Sequence, residues 1–157
     1  MILDERNEFA DAAALNTGAA GTYLIGDQID LTSVGNVGAI DGLYLVIQAT
    51  TGIKAAGAGT VSFSLASDDS AAIATSGTAT VHFTTQAFVT GAGTDATTLK
   101  AGTVLACVAL PRGFTYERYL GILQTTGAQA ITGGAINAFL TSEPGNWAAY
   151  DSPKHLT

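Results

Sequence analysis

Leu43-Tyr-Leu-Val-Ile-Gln-Ala-Thr-Thr51, followed after a short Gly-rich gap by Thr60-Val-Ser-Phe-Ser-Leu-Ala66, decides how this chain folds. The first run is rich in β-branched and aromatic side chains, which suit a pleated, half-buried surface. In the second, Val61, Phe63 and Leu65 alternate with Thr60, Ser62 and Ser64. A period of two places the apolar side chains on one face of a strand and the hydroxyls on the other. Asp41-Gly42, Gly52 and Gly57-Ala-Gly59 supply the turn chemistry around both runs. Working outward, the same grammar predicts strands over Tyr23 to Leu31, Thr80 to Thr84, Thr103 to Leu110, Tyr116 to Gln124 and Ala135 to Thr141. Each is bounded by Gly, Pro, Asp or Asn. No helical pattern recurs between strands, so a parallel α/β core is excluded. The expected fold is all-β, an antiparallel β-sandwich. Seven or eight strands suit either an immunoglobulin-like sandwich or a jelly roll, and spacing alone does not choose between them.

Helix signals are weak. Asp4 to Leu15 is the best candidate, Ala-rich with acids in its first turn, and Ser67 to Ile73 reads as one helical turn or a tight loop. Residues 1–20 read as an N-terminal arm, 21–142 as the sandwich and 143–157 as a C-terminal arm. Pro144 and Pro153 bias the C-terminal segment toward extended chain without regular structure. Trp147 and Tyr150 in that arm are expected to lie against something, either their own sandwich or a neighbouring subunit.

The 157 residues are 47% hydrophobic and only 12% charged, with six Lys/Arg against thirteen Asp/Glu and a formal net charge of −7. An ordinary soluble domain carries about 25% charged residues. The cations Arg6, Lys54, Lys100, Arg112, Arg118 and Lys154 are scattered singly, so no basic stripe exists to displace phosphate counterions and nucleic acid is not an expected partner. The acidic opening Met-Ile-Leu-Asp-Glu-Arg is unlike a signal peptide. Residues 119–142 carry no charge, but Gly121, Gly127, Gly133, Gly134, Gln124, Gln129 and Asn137 break them into runs too short to span a membrane, so no membrane is expected either. Cys107 has no cysteine partner and, inside an apolar run, is expected to be a small buried hydrophobe.

Chemistry-bearing patterns are sparse. Asp27 with Asp30, and Asp68 with Asp69, do not continue into an alternating calcium loop and read as turn or cap carboxylates. His82 is out of phase with Val81 and Phe83, hence expected to face solvent, and His155 lies in the C-terminal arm, so zinc ligation would need two lone histidines to converge. Gly57-Ala-Gly59 and Gly91-Ala-Gly93 lack the third glycine of a dinucleotide loop. No Gly-x-Ser-x-Gly elbow is present. The sequence therefore predicts no enzyme, no cofactor and no metal. Arg118, in Tyr116-Glu-Arg-Tyr-Leu120, is the one cation inside a predicted strand flanked by aromatics, and is expected either to pair or stack within the sheet or to serve an interface. Strand exteriors are Thr, Ser and Ala rather than Lys and Glu. Uncharged strand edges pair readily with other chains, so a homo-oligomer, dimer or trimer, is expected to cover them.

Four phrases taken together carry a family resemblance: Leu43-Tyr-Leu-Val-Ile-Gln48, Val61-Ser-Phe-Ser-Leu-Ala-Ser-Asp-Asp69, Leu110-Pro-Arg-Gly113 followed by Glu117-Arg-Tyr-Leu120, and Gly134-Ala-Ile-Asn-Ala-Phe-Leu-Thr141. In their order and gaps, the chain resembles the jelly-roll capsid cement (decoration) proteins of tailed bacteriophages. The resemblance implies a jelly roll of about eight strands, located on the outer capsid surface of the virion. It further implies binding to the major capsid protein of an HK97-type lattice, bridging of neighbouring capsomers and small symmetric oligomers, with no catalytic or metal residues. On this reading Trp147, Tyr150, Arg118, Tyr116 and Tyr119 are the interface candidates. The alternative is a carbohydrate- or receptor-binding jelly roll, for which Phe114, Tyr116 and Tyr119 would supply the aromatic face.

Overall fold

The two runs that carry the sequence reading become inner strands of two different sheets. The computed structural model describes residues 5–32, 37, 42–91 and 99–146. Nine strands follow in order: β1 (Glu8–Ala14), β2 (Gly21–Asp30), β3 (Tyr44–Ala55), β4 (Gly59–Asp68), β5 (Thr80–Thr84), β6 (Phe88–Thr90), β7 (Val104–Ala109), β8 (Tyr119–Gly127) and β9 (Ile131–Thr141). Short 3-10 turns, Glu5–Asn7 and Pro144–Asn146, flank them, and no α-helix occurs among the described residues.

One antiparallel sheet has the order β1-β9-β3-β7; the other runs β2-β8-β4-β5, with β6 also paired to β4. The pairing is nested. β1 meets β9, β2 meets β8, β3 meets β7, and β4 meets β5 and β6. Such nesting arises when a long hairpin is folded over into two sheets, which is the jelly roll. β5 and β6 share one strand position, β6 opposite Gly59–Val61 and β5 opposite Ser64–Ser67. Thr85 bridges the break: its N–H donates to the Phe63 carbonyl at 2.9 Å and its hydroxyl accepts the Phe63 N–H at 3.0 Å. Nine segments therefore fill eight strand positions.

Alternation builds the core. Leu45, Ile47, Ala49 and Ile53 of β3 meet Val61, Phe63 and Leu65 of β4, with Leu120 and Ile122 of β8 and Ile136, Ala138 and Leu140 of β9. Each such Leu, Ile or Phe contributes about 1.5–3 kcal/mol by leaving water. A smaller cluster of Ala66, Ile73 and Leu123 lies outside this core. It is held by the loop after β4, a tight loop rather than a helical turn, in which Asp68 Oδ1 and Oδ2 accept the N–H groups of Ser70 and Ala74 at 3.0 Å each.

Three expectations are corrected. Residues 8–14, read within an N-terminal arm and as the best helix candidate, form β1 and belong to the sandwich. Alanine favours a helix in isolation, but pairing with β9 and burial of Phe9 and Ala10 offer more than propensity does. Cys107 is exposed rather than buried. β7 is an outer strand, and alternate residues of an outer strand face solvent even within a wholly apolar run. His82 is half-buried rather than solvent-facing. The ladder steps from Leu65↔Phe83 to Ala66↔Val81, leaving His82 as an extra residue in a bulge that turns it toward the neighbouring strand. The uncharged stretch 119–142 is mostly β8 and β9, and no helix among the described residues is long and apolar enough to cross a membrane.

Candidate functional site

The segment leading into β8 carries most of the described candidates, and the fold divides them between two clusters. In the first, Arg118 lies against Asp30 at the end of β2. Its Nε and Nη2 donate to Asp30 Oδ1 and Oδ2 at 3.2 and 3.0 Å. Asp30 Oδ1 also accepts the Thr32 N–H at 3.0 Å and hydroxyl at 2.6 Å. Hydrogen bonds from Arg118 first, and then from Thr32, hold the Asp30 carboxyl well below the usual carboxylate range. The guanidinium carbon sits 4.8 Å from the Tyr119 ring centroid, a cation–π distance. Arg118 thus pairs and stacks within its own sandwich, although half of its side chain remains open to solvent.

In the second cluster, Tyr116 is buried rather than presented on an aromatic face. Its ring stacks on His82 with centroids 4.0 Å apart, and its hydroxyl donates to the Pro111 carbonyl at 2.8 Å. Ser67, fully buried, joins the elements: its Oγ lies 2.8 Å from His82 Nε2, donates to Glu117 Oε2 at 3.2 Å and accepts the Glu117 N–H at 3.2 Å. A hydroxyl has one proton. Given to the carboxylate, it leaves a lone pair for His82 Nε2–H, which sets the ring tautomer. Desolvation lowers the His82 pKa below 6.5, opposed by the Glu117 charge. Serine, histidine and carboxylate meet here in the wrong order for a nucleophile. The carboxylate holds the serine rather than the other ring nitrogen, and the serine is sealed from solvent. The cluster is a clasp tying β4 and β5 to the segment before β8. Phe114, 60% exposed, is the aromatic of this segment left open. Trp147 and Tyr150 lie outside the described residues.

The two flanks of the sandwich differ in kind. β5, β6 and β7 are outer strands without a charged residue. Val81, Val89, Val104 and Cys107 are exposed along them. On the opposite flank, β1 and β2 carry Glu8, Asp11, Asp27 and Asp30. Both are bulged there: the ladder skips from Ala10 to Ala13 in β1 and from Ile25 to Ile29 in β2. Gly26, at φ +69°, lets the strands close, since a Cβ at this position would clash with the Phe9 carbonyl oxygen. An open cleft of about 860 Å3 runs beside this contact, lined from Arg6 to Ala13 on one side and Gly26 to Asp30 on the other. Sequence reasoning did not single out this cleft. The one signal was Gly26-Asp27 interrupting an otherwise strand-like run, which marks a bulge. Among the described residues, no three His, Cys, Asp or Glu side chains converge as a metal site would require.

A nested two-sheet sandwich of this kind is a jelly roll, and its polar clusters serve as internal ties. The profile of the family described as Bbp16 matches residues 9–140, which spans β1 to β9. The chain belongs to the Bbp16 family, a phage-associated family. No curated protein matches it.

Proposed function

We propose that the protein is a virion structural protein that cements the capsid. It binds the major capsid protein on the outer surface of an HK97-type shell and bridges neighbouring capsomers as a dimer or trimer. No enzymatic activity, cofactor, metal, nucleic acid or membrane enters this reading. One observation carries it beyond the family's phage association: the charge-free flank of β5, β6 and β7. A protein that works as a free monomer defends outer strands with charge, especially Lys, whereas one that works inside an assembly covers them. A rigid sandwich suits adhesion, because little ordering entropy is lost on docking. Many copies on one lattice then give avidity from modest contacts.

The test is reconstitution. Purified protein added to shells assembled without it should appear in cryo-EM maps as density outside the shell between capsomers, and should raise the temperature at which the particles rupture. Unbound protein and unchanged rupture would overturn the reading. Deleting residues 143–157 should leave the melting temperature of the isolated protein nearly unchanged while lowering occupancy on particles. Trp147→Ala alone should cost about 2 kcal/mol of attachment.

A further inference from the structure

We propose that the cleft between β1 and β2 is the docking groove for an extended, lysine- or arginine-bearing segment of the shell protein. This rests on the cement reading and names the surface that meets the partner. Three features argue for it. The cleft is open, and residues of both β1 and β2 line it. Its two walls are outer strands of different sheets that touch at Phe9 and Gly26, so a chain segment can lie along this seam without displacing any existing strand. Glu8, Asp11, Asp27 and Asp30 outnumber Arg6, the one cation of its lining, so its charge is complementary to a cationic segment. Asp11 and Asp27 are exposed on opposite walls, and among the described residues neither carboxylate has a hydrogen-bond or ion-pair partner. Asp30, the third aspartate of the cleft, is already engaged by Arg118, so Asp11 and Asp27 supply the recognition.

The bulges fix what kind of contact this is. They take Ala12 and Gly26 to φ +46° and +69° and interrupt the regular ladder on both walls, so recognition falls to side chains and carboxylates rather than to a continued sheet. The competing account is that acids and bulges here merely keep two outer strands from aggregating.

The experiment compares wild type, Asp11→Asn/Asp27→Asn and Asp69→Asn, the last being an exposed acid of the loop after β4. Each is titrated onto shells lacking the protein at low and high salt, with melting temperature and oligomeric state as controls. The double variant should bind at least tenfold more weakly and lose most of the salt dependence, while Asp69→Asn binds as wild type. Shell binding that the double variant retains in full, above all if that variant aggregates, overturns the groove and leaves the cement reading standing. A second arm needs no shell. Hexalysine titrated into wild type should shift NMR resonances along β1 and β2 before those of the Asp68–Asp69 loop, and should fail to do so in the double variant. Absence of that localisation overturns the groove. Wild type that does not bind shells, yet shows localised hexalysine shifts, overturns the cement reading alone.

Discussion

Outer strands pose one problem on both flanks of this sandwich, and the two flanks answer it differently. β1 and β2 bend away from regular pairing and carry four acids, whereas β5, β6 and β7 stay free of charge and present Val81, Val89 and Val104. A strand edge offers unpaired N–H and C=O groups, and charge or bulging is what prevents another chain from using them. The contrast teaches that the flanks guard their edges by different means: bulges and charge on the acidic side, and neither charge nor lysine on the bare side.

The strongest way to break the comparison is to disturb the contact that closes the acidic flank. Gly26→Ala adds a Cβ against the Phe9 carbonyl oxygen at a left-handed φ, and should cost about 3 kcal/mol in urea denaturation. Gly77→Ala, before β5, has a positive φ but open space around the added methyl, and should cost only about 1 kcal/mol. Equal costs would mean that β1 and β2 do not close at Gly26.

Charge on the bare flank comes next. In the proposed oligomer, Val104→Lys should weaken self-association by about tenfold or more, equivalent to about 1.4 kcal/mol, as read by light scattering over a dilution series. Its melting temperature should stay near wild type, because Val104 is already exposed. Unchanged association would remove β7 from the oligomer contact.

Two titrations sharpen the comparison with smaller effects. Asp30 owes its lowered pKa to Arg118 first, so its stabilising contribution is present above the ordinary aspartate value of 3.8 and is lost only as pH falls toward the lowered native value. The Asp30 carboxyl resonance should therefore stay flat through 3.8 in wild type, and should titrate closer to that value in Arg118→Ala. His82 has the same sense in a higher pH window. Its native pKa is depressed, so the unfolded chain takes up the proton first, and stability falls with pH from 6.5 down to the lowered native value. His82→Phe keeps a ring against Tyr116 and removes the titration, so that slope should disappear.

Legibility in the sequence tracked how local each cause is. The strands that became β3, β4 and β5 were readable because alternation and turn residues lie within ten positions of each other. β1 was hidden because its seven residues are mostly alanine, and only Phe139, Ala138, Ile136 and Ala135 across the sheet make it a strand. β6, three residues long, is too short to show a period. Tyr116 and Arg118 were visible as candidates, but not their partners. Arg118 meets Asp30 across 88 positions and Glu117 meets Ser67 across 50, and no local pattern encodes such pairs.

By itself the sequence determined the all-β class, the turns, the alternating core of β3 and β4, and the scarcity of charge on strand exteriors. These follow from backbone periodicity and turn chemistry, which act over a few residues. Tertiary structure alone decided the nested pairing that makes the sandwich a jelly roll, the bulge that turns His82 inward and the exposure of Cys107. It also set the acidic flank opposite the bare one. Which strand lies outermost depends on the order of strands in the sheet, and that order is fixed by contacts between residues far apart in the chain.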